Sequence, residues 1–152
     1  PRRHQRDHAC HHREAFDWAV GSGQWAIGSR MSERIESYRD LIVWQQAVEV
    51  AVQTYSLTRV WPSSEMYGLT AQTRRAATSV AANIAEGYGR DSRGSYQQFL
   101  KVAQGSLKEF ETHLIIAERA GISTADAVNP LLDQADRLGK MLRSLIQKLD
   151  PQ

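Results

Sequence analysis

At 152 residues, with 41% hydrophobic and 24% charged side chains, the chain is long enough for one globular core and lacks the bias of disordered or fibrous proteins. No apolar run approaches the roughly 20 residues that span a bilayer, and no apolar stretch follows the basic N-terminus as a secretory signal requires, so a cytoplasmic protein is expected. Cys10 is the single cysteine, which excludes an intramolecular disulfide.

The formal charge of +2 sits entirely in residues 1–30, where five arginines face three carboxylates. Residues 31–152 carry 14 basic and 14 acidic side chains, so nucleic-acid binding there requires a local patch, repeated by symmetry if the chain assembles. The first thirty residues crowd His4, His8, His11 and His12 together and are broken by Gly21-Ser22-Gly23 and Gly28-Ser29. They are expected to be a disordered leader or a non-native extension, with Met31 as the start of a bundle domain over 31–152. His8, Cys10, His11 and His12 match no closed metal-site spacing, so no metal or other cofactor is expected.

Four segments follow the helical period. In the first, Leu41, Trp44, Val48, Ala51 and Tyr55 form the stripe, Asp40 is the expected N-cap, and Pro62 sets the limit. The second opens after Pro62-Ser63-Ser64, with a serine cap and Glu65 at the positive end of the helix dipole. Leu69, Thr73, Ala76, Val80 and Ile84 form its stripe, beside small residues that invite close helix approach. Gly87 and Gly89 are expected to end it, one of them left-handed.

In the third segment Tyr96, Leu100, Ala103, Leu107, Phe110, Leu114 and Ala117 repeat every seven residues, with Ser92 to cap the start and Gly121 to close the end. The fourth carries Val128, Leu131, Ala135, Leu138, Leu142, Leu145 and Leu149 behind a Ser123-x-x-Asp126 capping box. Short connections between four amphipathic helices predict an all-α, up-down-up-down antiparallel four-helix bundle.

With the helices placed, a resemblance emerges. Asp40-Leu41-Ile42-Val43-Trp44-Gln45, Pro62 to Leu69, Gln72 to Val80, Asn83-Ile84-Ala85-Glu86-Gly87 and Gly105 to Glu109 follow one another in order. Together they resemble the bacterial four-helix-bundle family encoded by intervening sequences of large-subunit ribosomal RNA genes, over about residues 35–149. Thr73 departs from the common aliphatic residue, and Ala81-Ala82 stands where the family often has a proline. The resemblance implies a homo-oligomer, commonly a homopentamer, and kinship to the accessory protein of diversity-generating retroelements, which binds nucleic acid and a reverse transcriptase. It implies a fold more firmly than a function.

Enzyme chemistry finds little support. A di-iron bundle site needs Glu-x-x-His pairs, but Phe110 precedes His113, the sole histidine beyond the tail. An Arg-x₄-His ribonuclease-like pattern occurs as Arg6 and His11 in the tail, and on the third helix only as Lys108 and His113, where lysine lacks the planar fork. No catalytic residue is assigned, and a non-enzymatic protein is expected.

The candidate nucleic-acid contacts are Arg74 and Arg75 on the second helix, Arg90 and Arg93 in the following turn, and Lys101 and Lys108 on the third. Phosphate contacts to RNA or DNA need no base-reading motif. Pairing with carboxylates across a subunit interface is the equal alternative for Arg74 and Arg75, and a solvated face for the lysines. Asn83, Glu86 and Gly87 are read as structural, satisfying backbone groups near a helix end. A module that docks proteins through exposed aromatics such as Trp44 or Tyr88 is the remaining class.

Overall fold

A computed structural model describes residues 35–150. The reading of residues 1–30, with its histidines, lies outside them. Four helices follow a short 3₁₀ turn at Tyr38–Asp40: α1 (Ile42–Thr58), α2 (Leu69–Tyr88), α3 (Arg93–Arg119) and α4 (Ala125–Lys148). There is no strand among the described residues. Helix α1 packs on α2 and α4, and α3 packs on the same two, which closes a four-helix bundle. The seam between α2 and α3 is the most extensive. Along it Gly87 meets Tyr96 and Ser79 meets Ser106, so residues rising along one helix meet residues falling along the other.

Helix α3 buries all seven residues of its heptad stripe, with Leu100, Leu107, Phe110 and Leu114 wholly enclosed. Truncating a large side chain of this kind to alanine costs about 2–5 kcal/mol. Ser92 Oγ accepts from the Ser95 N–H at 3.1 Å. At the other end Gly121, with φ of 75°, lets Ile122 N–H reach the Ala117 carbonyl at 2.9 Å and Gly121 N–H the Glu118 carbonyl at 3.1 Å. This paired pattern satisfies carbonyls that the helix leaves open. Helix α4 buries its predicted stripe except Leu145, whose place is shared with Ile146.

Helix α1 departs from its predicted face. Trp44 and Val48 are half-buried and Tyr55 is exposed, while Val43, Ala47, Val50, Ala51, Thr54 and Thr58 turn inward. Thr54 and Thr58 donate to the carbonyls of Val50 and Thr54 at 2.7 and 2.8 Å, so their hydroxyls need no other partner in the core. Gln53 and Gln134 join α1 to α4 with a 2.8 Å hydrogen bond.

Several predicted ends move. Asp40 closes the 3₁₀ turn, accepting the Glu36 and Ser37 N–H groups at 2.9 Å, and Leu41 occupies the α1 N-cap. Ser63–Glu65 form a separate 3₁₀ turn, and Glu65 Oε2 reaches forward to the Leu69 N–H at 3.2 Å to cap α2. The α2 C-cap, Gly89, is right-handed (φ −76°) and Gly87 lies inside α2, so neither takes the left-handed conformation expected of one of them. Thr124, not Ser123, caps α4, accepting from the Ala127 N–H at 3.3 Å.

Candidate nucleic-acid interface

The six predicted cations separate into two groups. Arg74 is committed to packing: its Nε donates to Thr58 Oγ1 at 2.8 Å, and its guanidinium lies 4.8 Å from the centre of the Tyr55 ring. Arg90 pairs with Glu86 one turn back and stacks 4.6 Å over the Phe99 ring. Arg93 starts α3 but reaches the end of α4, donating to the Lys148 and Asp150 carbonyls at 3.3 and 2.7 Å. There it satisfies open carbonyls and places a cation at the negative end of the α4 dipole. It lies on the first turn of α3 and not in the connecting turn where the sequence placed it.

The second group faces water. Arg75 is exposed on α2, and Lys101 and Lys108 are exposed on α3. Lys108 shares its charge with Glu111 at 2.8 Å, an exposed pair of small energetic weight. Lys101 and Lys108 flank an open groove of about 450 Å³ between α3 and α4. Gln104 and Gly105 lie between them, and Arg143, Ile146 and Gln147 form the α4 side. Arg143 escaped the sequence reading because it lies on another helix, 42 residues beyond Lys101. No carboxylate lines the groove itself, and with Lys108 paired to Glu111 its positive potential comes chiefly from Lys101 and Arg143, on a domain of balanced charge. Beyond the rim, Asp136 pairs with Lys140 at 2.8 Å. That contact, with weaker help from Lys108, holds the Asp136 carboxyl below the ordinary carboxylate range.

Asn83, Glu86 and Gly87 hold the α2–α3 seam. Asn83 Nδ2 donates to the Ser79 carbonyl at 2.8 Å and to its hydroxyl at 3.0 Å, and Ser79 Oγ lies 2.9 Å from Ser106 Oγ across the seam. Gly87 is buried beneath α3: a Cβ there would stand 2.7 Å from Phe99 Cβ and 3.0 Å from Tyr96 Cδ2. Glu86 faces solvent and holds Arg90 over Phe99. Asn83 thus bonds within α2, to the serine that meets Ser106, whereas Gly87 is set by the close approach of α3.

Lys108 and His113 do not converge. Lys108 is exposed, whereas His113 is buried, with Nε2 at 3.9 Å from Glu109 and Nδ1 enclosed without a hydrogen-bond partner. No group of three or more His, Cys, Asp or Glu side chains gathers among the described residues in a way that could hold a metal. No helix among them is long and apolar enough to cross a membrane.

With the bundle and its charged groove defined, comparison with known proteins places the chain. The model of the family described as 23S rRNA-intervening sequence protein matches residues 39–144, which take in all of α1, α2 and α3 and most of α4. A similar solved structure is a protein of unknown function of the S23 ribosomal protein family from Bacteroides thetaiotaomicron. It shares 24% identity and a TM-score of 0.64, covering 70% of this chain and 99% of its own, and supports the fold alone. No curated protein matches the chain. The chain belongs to the 23S rRNA-intervening sequence protein family.

Proposed function

We propose that this protein is a non-enzymatic, cytoplasmic homo-oligomer, a pentamer, that contacts RNA or DNA phosphates through lysine and arginine side chains repeated by symmetry. The observation that carries the reading is the division among the cations. Arg74, Arg90 and Arg93 are engaged within the chain and Lys108 is paired with Glu111 at the surface, whereas Arg75 and Lys101 extend, unpaired among the described residues, from a bundle whose remaining charge is balanced. Phosphate recognition needs such solvent-facing cations and little else. The homo-oligomer matters because two or three charges on one chain are few for stable phosphate binding, and a ring multiplies them.

The test uses the full chain, with light scattering expected to give about five times the 17.1 kDa chain mass. Fluorescence anisotropy then titrates structured RNA, single-stranded RNA and duplex DNA at two salt concentrations. Binding that weakens steeply with salt, and a shallower salt slope when Arg75, Lys101 and Lys108 are changed together to alanine, is the expected result. Absence of binding at low salt, where attraction is strongest, refutes it.

A second reading, a protein-docking scaffold, rests on the α1–α2 connection. Val60 is 83% and Tyr67 96% exposed there, with Met66 beside them. Exposed apolar side chains of this kind on one connection serve protein contact. By the family resemblance, a reverse transcriptase is the class of partner to try first, and its binding would be insensitive to salt.

A further inference from the structure

The groove between α3 and α4 contains a helix-interior residue that the bundle itself does not explain. Gly105 lies midway along the 27 residues of α3, where glycine is disfavoured relative to alanine. Gly87 on α2 is required by the approach of α3, but a Cβ built at Gly105 meets nothing within 4 Å. Gly105 is exposed, and it lies in the groove four residues after Lys101 and three before Lys108, all three on one helix face. Arg143 supplies a third cation from α4. Neither Lys101 nor Arg143 has a hydrogen-bond or ion-pair partner among the described residues. The side-chain amides of Gln104 and Gln147 likewise make no hydrogen bond there.

We propose that this groove seats the sugar–phosphate backbone of a single nucleic-acid strand, with its closest approach at Gly105. The inference rests on the nucleic-acid reading above and names its site and its form of ligand. Lys101 and Arg143 neutralise phosphates along the groove, and Lys108, about 10 Å from Lys101 along the helix axis, exchanges its surface pairing with Glu111 for a further one. The missing side chain at Gly105 lets the strand sit against the helix backbone, and Gln104 and Gln147 offer donors and acceptors to sugar hydroxyls or base edges. No aromatic ring lines the groove, so no base stacks there and sequence preference is weak. A single strand is flexible enough to follow the floor between two packed helices, so it is expected to bind more tightly than the matching duplex, and equal affinity for the duplex overturns the single-strand assignment.

The experiment compares the full-length protein with Arg143→Ala, Gly105→Leu and Gly105→Ala, titrating a labelled single-stranded RNA of mixed sequence and the matching duplex. Circular dichroism and light scattering accompany each variant. Arg143→Ala is expected to weaken single-strand binding severalfold and to lower the salt slope by about one. Gly105→Leu is expected to weaken it at every salt concentration with the slope unchanged, because it removes space and no charge. Gly105→Ala is expected to melt higher than the parent protein yet bind more weakly, which separates the site from any folding defect.

Wild-type affinity in Gly105→Leu overturns the groove assignment, as does an oligomer mass altered by that change, which would make the groove an interface between copies. Unaltered binding in both Arg143→Ala and Gly105→Leu, together with weakened binding in Arg75→Ala alone, overturns the groove but leaves the nucleic-acid reading intact, because Arg75 lies on α2 outside the groove. Displacement of the strand by inorganic pyrophosphate at matched phosphate concentration assigns the groove to a small phosphate ligand and overturns the strand. No binding by the parent protein overturns both.

Discussion

Gly87→Ala in the last turn of α2 and Gly105→Ala in the middle of α3 add the same methyl group to a helix and are expected to shift stability in opposite directions. In each case alanine favours the helix over glycine by about 1 kcal/mol. At Gly105 nothing opposes that gain, because the added Cβ has no neighbour within 4 Å. At Gly87 the new carbon would stand 2.7 Å from Phe99 Cβ and 3.3 Å from the Tyr96 carbonyl oxygen. Phe99 Cβ and the Tyr96 carbonyl are fixed to the α3 backbone and cannot rotate away, so α3 must shift from α2. Overpacking of this kind costs about 1–3 kcal/mol. The net expectation is a loss of about 1 kcal/mol at Gly87 beside a gain of about 1 kcal/mol at Gly105. Near about 4 °C per kcal/mol for a domain of this size, the two melting temperatures separate by about 8 °C. Thermal melts followed by circular dichroism at one fixed protein concentration provide the assay, since oligomers melt in a concentration-dependent way. Equal stabilisation by both substitutions would refute the close-approach reasoning.

Arg74→Ala removes the hydrogen bond to Thr58 and the stack on Tyr55, with an expected loss of about 1–2 kcal/mol in urea denaturation and no change in nucleic-acid affinity. A selective loss of affinity at unchanged stability would return Arg74 to the binding face. Ser79→Ala and Ser106→Ala are expected to couple by about 1 kcal/mol in a double-mutant cycle, because their hydroxyls meet across the α2–α3 seam; additivity would show that the contact contributes nothing. Burial, and secondarily the neighbouring Tyr88, pushes the Tyr96 phenol well above its ordinary value. Its stabilising contribution is therefore complete below about pH 10 and declines above it, as the unfolded chain ionises while the folded chain does not. Ultraviolet absorbance during an alkaline titration should show one tyrosine ionising only with unfolding, an event that Tyr96→Phe abolishes.

How much of this was legible in the sequence depended on side-chain size. The stripe of α3 was readable because every core position carries an apolar residue at a seven-residue repeat. Helix α1 was rotated in the reading because Trp44 and Tyr55 outweigh Ala47, Thr54 and Thr58 in any apolar pattern. Inside a helix, however, a threonine whose hydroxyl bonds to the carbonyl four residues back behaves as a small apolar residue. Ser92 and Gly121 bound α3 as expected, but Leu41 takes the α1 cap in place of Asp40, and Thr124 takes the α4 cap in place of the chemically equivalent Ser123, a choice only the turn geometry makes. The charged groups were all visible, but their availability was not. Arg74 and Arg93 find partners 16 and 57 residues away, and Arg143 joins Lys101 only once α3 and α4 are side by side.

The dominance of the α2–α3 seam also orders the assembly of the fold. A four-residue turn joins these helices, so their many contacts form between residues close in sequence and need little loop closure. This hairpin is where a folding nucleus is cheapest to build, with Gly87 against Phe99 and Ser79 against Ser106 as its marks of correct register. The meeting of α1 with α4 joins the two ends of the bundle across the longest sequence separation, so amide exchange is expected to be fastest along that edge and slowest in the α2–α3 hairpin.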